Sequence, residues 1–170
     1  MLSAYEWSEP GLTFFGLYPE TAGDQGNFLF KPGGPKPQQL SNASGFDADP
    51  SVSPDGKWLA YASTETGRFE VYVTTMAPSA AKKAVTNGGG VDPKWSRNGK
   101  EIFYVHSVTG ELMSVELKTE NGLDIGARRR IHPGPLKWGS VHSFSETPDG
   151  SRFLVWTFDP DRGDITVLLN

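Results

Sequence analysis

One pattern recurs along this chain and constrains what it can fold into. "VSPDGKWLAYAS" at 52–63 is matched by "WSRNGKEIFYVH" at 95–106 and by "ETPDGSRFLVWT" at 146–157; "WSEPGLTFFGLY" at 7–18 is the most divergent copy. The turns of the four copies start at Ser8, Ser53, Ser96 and Thr147, spacings of 45, 43 and 51 residues. A period of about 40–50 residues is that of a four-stranded propeller blade. The order inside each copy is the same. A short segment leads into the turn: "FDADPSV" at 46–52, "GVDPKW" at 90–95, "VHSFSE" at 141–146. In the turn, Asp or Asn can bond back to the backbone and Gly supplies positive φ. An aromatic and aliphatic strand follows, then a polar Gly-containing loop, then a third strand: "FEVYVTT", "ELMSVEL", "DITVLLN". Apolar runs without a polar face suit strands covered on both sides.

"QQLSNASG" (38–45) and "KAVTNGGG" (83–90) supply a fourth strand one repeat apart, and "ARRRIHPG" (127–134) takes that place in the third copy. The reading is all-β: a partial β-propeller of nearly four blades of four-stranded antiparallel sheets. A single propeller domain spans 1–170, with blades at about 1–45, 46–90, 91–136 and 137–170. It is expected to be short at both ends, with only "SAYEW" before the first turn and no fourth strand after 170. The one stretch with helical composition, "MAPSAAKKAV" (76–85), is interrupted by Pro78.

Composition agrees with a turn-rich β protein. The 170 residues include 20 Gly and 13 Pro, about a fifth of the chain against a usual level near 12%. A net charge of −4 and no basic stripe argue against a nucleic-acid partner. With no Cys, there is no disulfide, thiolate nucleophile or Cys-ligated zinc. The opening "MLSAYEWSEPGL" lacks the basic and apolar regions of a signal peptide, and no apolar run is long enough for a membrane-spanning helix. As written, the chain reads as cytoplasmic.

Residues 46–90 resemble the TolB-type, WD-like propeller repeat throughout. Residues 91–117 resemble it with Asn98 in place of Asp, and 141–169 with Thr147 in place of Ser. The order of motifs is also similar to the C-terminal propeller segment of bacterial serine/threonine-kinase-linked proteins. No kinase motif is present here: no Gly-rich loop, His-Arg-Asp loop or Asp-Phe-Gly. The resemblance implies a bacterial binding or sensing module, and a periplasmic location by analogy with TolB. Propellers of this kind close rings of six to eight blades. The chain is therefore expected to pair as a homodimer through its open ends, or to be part of a larger propeller, and to bind a protein or small-molecule ligand.

Candidate site residues lie beside the turns. Asp47, Asp49 and Asp92 precede them, with Asp49 and Asp92 at equivalent places in adjacent blades. Carboxylates converging near the axis would suit a hard cation such as Ca²⁺. Equally, residues that recur in each blade suit backbone hydrogen bonding within the fold. His142 precedes a turn on an expected inner strand and is the candidate general base or ligand. The alternative function is thus a Ca²⁺-dependent hydrolase of lactones or esters. Asp55, Asn98 and Asp149 read as turn residues, as do Ser53 and Ser96; no Gly-x-Ser-x-Gly elbow exists. His106, at a strand end, and His132, in a Pro-Gly loop, read as structural. The basic run 127–130 reads as a charged outer strand protecting a sheet edge, or as contact for a phosphate or acidic partner. The five Trp residues suit blade packing, and Trp138, outside the repeat, could line a ligand entrance.

Overall fold

The computed structural model describes residues 2–8, 12–17, 26–30, 38–41, 45–77, 81–120, 122–134, 136, 144–155 and 167–168. These hold four antiparallel sheets in sequence order. Blade 1 contains β1 (Leu2–Ser8), β2 (Leu12–Leu17), β3 (Gly26–Phe30) and β4 (Gln38–Gln39). Blade 2 contains β5 (Asp47–Val52), β6 (Trp58–Ser63), β7 (Glu70–Thr75) and β8 (Lys83–Ala84). In blade 3 the strands are β9 (Val91–Trp95), β10 (Glu101–Val105), β11 (Leu112–Lys118) and β12 (Asp124–His132). Blade 4 has β13 (Phe144–Glu146), β14 (Phe153–Val155) and β15 (Val167–Leu168). Each strand pairs with the next, so every blade is a meander. The expected shortage at the start of the chain is corrected: β1 runs for seven residues, pairs with β2 from Leu2–Leu17 to Ser8–Leu12, and gives blade 1 all four strands. Its leading residues carry too little of the repeat consensus to be read as a strand from sequence.

The repeated turn is wired identically three times. In blade 2 the Ser53 hydroxyl donates to Asp55 at 2.5 Å and accepts the Trp58 amide at 3.0 Å. The Asp55 carboxylate also accepts the Lys57 amide, and the Gly56 amide reaches the Ser53 carbonyl. Ser96, Asn98, Gly99, Lys100 and Glu101 repeat this in blade 3. Thr147, Asp149, Gly150, Ser151 and Arg152 repeat it in blade 4. Asn98 and Thr147 fit because only an acceptor at the third position and a hydroxyl at the first are needed. The exposed Asp149 carboxyl is held down at about 2, by the Thr147 and Ser151 hydroxyls first and the Ser151 amide next. Gly99 sits at φ +70, a conformation a side chain disfavours.

Alternation along the central strands decides which neighbour each residue meets. Leu59 and Tyr61 face blade 1 and join Leu29, Leu40, Val52 and Tyr72. Ala60, between them, faces blade 3. There Val71, Val73 and Val85 of blade 2 pack on Trp95, Ile102, Tyr104, Val115, Leu117 and Leu123 of blade 3. Phe103 and Val105 point the other way and pack with Phe144, Phe153 and Val155 of blade 4. The Phe103 and Phe153 rings meet edge to face at 4.7 Å between centroids. The continuous apolar runs of the sequence are therefore strands with a neighbour on each face.

The outer edge is charged. On β12, Arg129 pairs with Glu101 at 2.8 Å and Arg130 with Glu111 at 3.1 Å. Arg128 donates to the Val85 carbonyl at 2.6 Å, tying the outer strand of blade 3 to blade 2. Between those blades Glu70, only 4% exposed, organises the loop 86–89. Its carboxylate accepts from the Thr86 hydroxyl (2.5 Å), the Gly88 and Gly89 amides (2.9 and 3.1 Å) and the Arg68 guanidinium (2.6 Å). Burial on its own pushes the Glu70 carboxyl up. The bonds from Thr86, Gly88, Arg68 and Gly89 together outweigh it and hold the group below the ordinary glutamate value.

Two outcomes follow from this wiring. Ser96→Ala removes the acceptor of the Glu101 amide and the donor to Asn98, and should cost about 1–3 kcal/mol in urea unfolding. Glu70→Gln should cost about 1.5–3 kcal/mol at neutral pH, since charge-assisted bonds are lost. A depressed carboxyl contributes stability above its unfolded value and loses that contribution as pH falls through the folded value. The melting temperatures of wild type and Glu70→Gln should therefore converge as pH falls below the ordinary glutamate value and through the lower folded one, and a gap that persists unchanged into acid would refute the charged role.

Candidate functional site

The inner strands place Asp49 and Asp92 in matching kinks. Both residues have positive φ, 51° and 50°, and both precede a proline. In each blade the Asp-Pro pair is an insertion in the ladder. Asp49 and Pro50 fall between partners Ala48–Ala62 and Ser51–Ala60. Asp92 and Pro93 fall between Val91–Val105 and Lys94–Phe103. These are β-bulges, which bend the strand and turn a side chain aside, and Asp is among the few residues that tolerate left-handed backbone. The bulge brings the two equivalent residues together across the blade boundary. Asp49 Oδ2 accepts the Asp92 amide at 3.3 Å, and two residues on Ser51 Oγ accepts the Trp95 amide at 3.2 Å. Asp92 in turn lies 3.5 Å from the Lys94 ammonium.

Asp47 is turned into different surroundings. It is 7% exposed, in the seam between blades 1 and 2. Burial raises its carboxyl above the ordinary aspartate value. The Ser41 and Ser63 hydroxyls and the Lys82 ammonium pull down, and Glu65 pushes up. Those two hydroxyls are the protein donors beside the carboxylate, and neither of its oxygens makes a hydrogen bond of full geometry with them. The Lys82 ammonium pairs with Glu65 and lies 5.3 Å from the centre of the Tyr72 ring. Tyr61, stacked on Tyr72 at 6.0 Å, is held neutral by burial first and then by the negative charges of Asp47 and Glu65. The structure thus brings Asp49 and Asp92 together and sets Asp47 apart. Among the described residues no three His, Cys, Asp or Glu side chains come together as a metal cluster.

The remaining candidates divide simply. Asp55, Asn98 and Asp149 hold their turns, as above. His106 Nδ1 accepts the Val108 and Thr109 amides, both at 3.3 Å, and His132 Nδ1 accepts the Gly134 amide at 3.1 Å. Both imidazoles cap loops. His142 and Trp138 lie outside the described residues. Sequence reasoning missed two features. One is Glu70, whose signal was a lone charge opening an apolar strand. The other is a cleft of about 400 Å³ at the turn end of the seam between blades 3 and 4. Arg97, Arg129, Glu101 and Glu146 rim it, over Phe103 and Phe153. The Arg97 amide donates to Glu146 at 3.0 Å, which links the two blades there. The rim comes from three strands and a turn, so no sequence window contains it. Among the described residues no helix is long and apolar enough to cross a membrane.

No protein-family model matches the chain. A TolB homologue of Chlorobium chlorochromatii is 30% identical over 73 residues, which are 43% of this chain and 16% of that protein. Among solved structures, a putative TolB from Agrobacterium tumefaciens superposes with a TM-score of 0.66 at 20% identity, over 91% of this chain and 53% of that one. TolB from Acinetobacter baumannii gives 0.65 at 18% identity, over 99% of this chain and 43% of that one. The chain thus spans about half the length of the TolB structures it matches. Repeat sequence, meander topology and face-to-face sheet packing agree with these likenesses: this is an all-β chain with a propeller fold, whose repeats are similar to those of TolB.

Proposed function

We propose that this chain is a non-enzymatic binding module, and that it works by joining a second propeller segment through its uncovered blade face. One observation carries the reading. In the central strand of blade 4, Phe153 and Val155 are buried against blade 3, while Leu154 between them is 38% exposed. The equivalent residues of the inner blades, Ala60 and Phe103, are 0% and 4% exposed because the next blade covers them. What fits on Leu154 is therefore the apolar sheet face of a further blade. A second copy of the chain supplies such a sheet, and the half-length match to the TolB structures supports this reading. The ligand surface of the assembled module is the cleft between blades 3 and 4. Its mixed charges, Arg97 and Arg129 with Glu101 and Glu146, over an aromatic floor suit a polypeptide. No specific observation favours the Ca²⁺-dependent hydrolase of lactones or esters: of its candidate residues, Asp49 accepts a hydrogen bond from the Asp92 amide and Asp92 is in an ion pair with Lys94.

Light scattering of the purified chain should give twice the chain mass. Leu154→Asp, placing a charge in the joint, should weaken the association at least tenfold, with near-ultraviolet circular dichroism unchanged. A monodisperse monomer at 100 μM, about a hundredfold above a micromolar dissociation constant, would remove the pairing.

A further inference from the structure

The seams on either side of blade 2 are built alike, with one exchange. At the seam of blades 2 and 3, Thr86 Oγ1 accepts the Val71 amide at 2.8 Å, and the Val85 and Thr86 amides reach the Val71 carbonyl. At the seam of blades 1 and 2, Ser41 Oγ accepts the Asn27 amide at 2.9 Å, and the Leu40 and Ser41 amides reach the Asn27 carbonyl. Each seam also sets one buried carboxylate beside that hydroxyl. At the second seam it is Glu70, which opens β7; position 90 there must be Gly, because a Cβ would meet Thr86 and Val71 side-chain atoms at 2.9–3.0 Å. At the first seam the position matching Glu70 is Gly26, where a Cβ would run into the Ser41 carbonyl, and the carboxylate comes instead from Asp47, which matches Gly90 when the inner strands are aligned on Asp49 and Asp92.

The two carboxylates differ in what they receive. Glu70 has a hydroxyl, two amides and a guanidinium. Both oxygens of Asp47 are without a hydrogen-bond partner, and Lys82, the nearby cation, pairs with Glu65. A second orphan lies against the same hydroxyl. Asn27 is fully buried and its Nδ2 donates to Ser41 Oγ at 3.1 Å, which leaves its Oδ1 unpartnered. The Ser41 oxygen thus accepts both the backbone and the side-chain N–H of Asn27. Ser63, 0% exposed, borders Asp47 and accepts the Glu65 amide at 3.3 Å. The Asn27 and Asp47 side chains thus flank Ser41 and carry three buried acceptor oxygens that make no full hydrogen bond. Leaving such groups unpaired is expensive, and an all-oxygen donor set is the chemistry of a hard cation.

We infer that a hard metal cation binds in the seam between blades 1 and 2, held by the Asp47 carboxylate and Asn27 Oδ1 with Ser63 Oγ beside them. The cation does for Asp47 what Arg68 and two amides do for Glu70, and it fastens blade 1 to blade 2. This site is separate from the Asp49–Asp92 pair at the inner bulges.

The test is calorimetric titration of the EDTA-treated, desalted chain with CaCl₂, with melts in CaCl₂, NaCl and MgCl₂ against tetramethylammonium chloride at equal ionic strength. The expected result is one CaCl₂ site per chain and a raised melting temperature. Asp47→Asn should weaken binding at least tenfold, as should Asn27→Ala, which keeps the carboxylate if Asp47→Asn fails to fold. Asp92→Asn, which suits its left-handed backbone, should bind within twofold of wild type. A melt raised by NaCl alone and lost in Asp47→Asn supports the same site with a monovalent occupant. Absence of any salt-specific heat or shift overturns the inference, as does wild-type binding by Asp47→Asn. Loss of binding in Asp92→Asn alone would place the cation at the inner bulges instead, and would equally overturn it.

Discussion

Everything in this molecule depends on sheets that have no polar face. In the middle of β6 and β10 the side chains are apolar and alternate between the two neighbours: Leu59 and Tyr61 against Ala60, Ile102 and Tyr104 against Phe103 and Val105. A single blade of this kind cannot exist alone in water, because both of its faces need cover. Stability is therefore held in the seams, each an apolar cluster drawn from two blades. The chain is a row of seams, and Leu154 points to the face of blade 4 away from blade 3.

Apolar stacking has no direction, so something else must set the register between blades. Hydrogen bonds at the rims do this. At the inner strands, Asp49 and Ser51 of blade 2 accept the Asp92 and Trp95 amides of blade 3. At the outer strands, Arg128 of blade 3 reaches back to the Val85 carbonyl of blade 2. At the turn end, Glu146 of blade 4 accepts the Arg97 amide. Asp49, Ser51 and Glu146 each use a side chain of one blade to satisfy a backbone N–H of its neighbour, and a slip by one residue would leave that N–H unpaired. The bulges belong to the same device. Without the left-handed turn at Asp49, its carboxylate would not reach the neighbouring amide.

The sequence carried the repeating parts well. The turn wiring needs a hydroxyl, an acceptor two residues on and a glycine after it, and those requirements are local, so Ser53, Ser96 and Thr147 could be aligned by eye. The apolar strands were legible for the same reason: sandwiching erases polar alternation over five or six consecutive residues. β1 was not legible, because "LSAYEWS" pairs through backbone groups that leave no composition signal. Asp49 and Asp92 were rightly singled out as equivalent. Their contact, carboxylate to amide, depends on a bulge that only pairing register reveals. Glu70 and Asn27 went unnoticed, since each owes its importance to residues 14 to 19 positions away.

A repeat protein states its architecture in what recurs and its individuality in what does not. Ser41 and Thr86 recur, and their role is the same in both seams. The carboxylate beside them does not recur. It moves from the third strand, at Glu70, to the next blade's first strand, at Asp47, and the glycine moves the other way, from Gly90 to Gly26. Sterics explain why the two cannot coexist in one seam: each glycine lies where a side chain would strike the strand that carries the hydroxyl. Sterics do not explain why the first seam keeps a carboxylate at all, since an apolar residue at position 47 would avoid the cost of burying one. The inferred cation would supply the partner that a buried carboxylate needs there. Departures from the repeat are thus better guides to binding chemistry here than the acidic residues that recur, whose oxygens are already engaged, Asp49 with the Asp92 amide and Asp92 with Lys94.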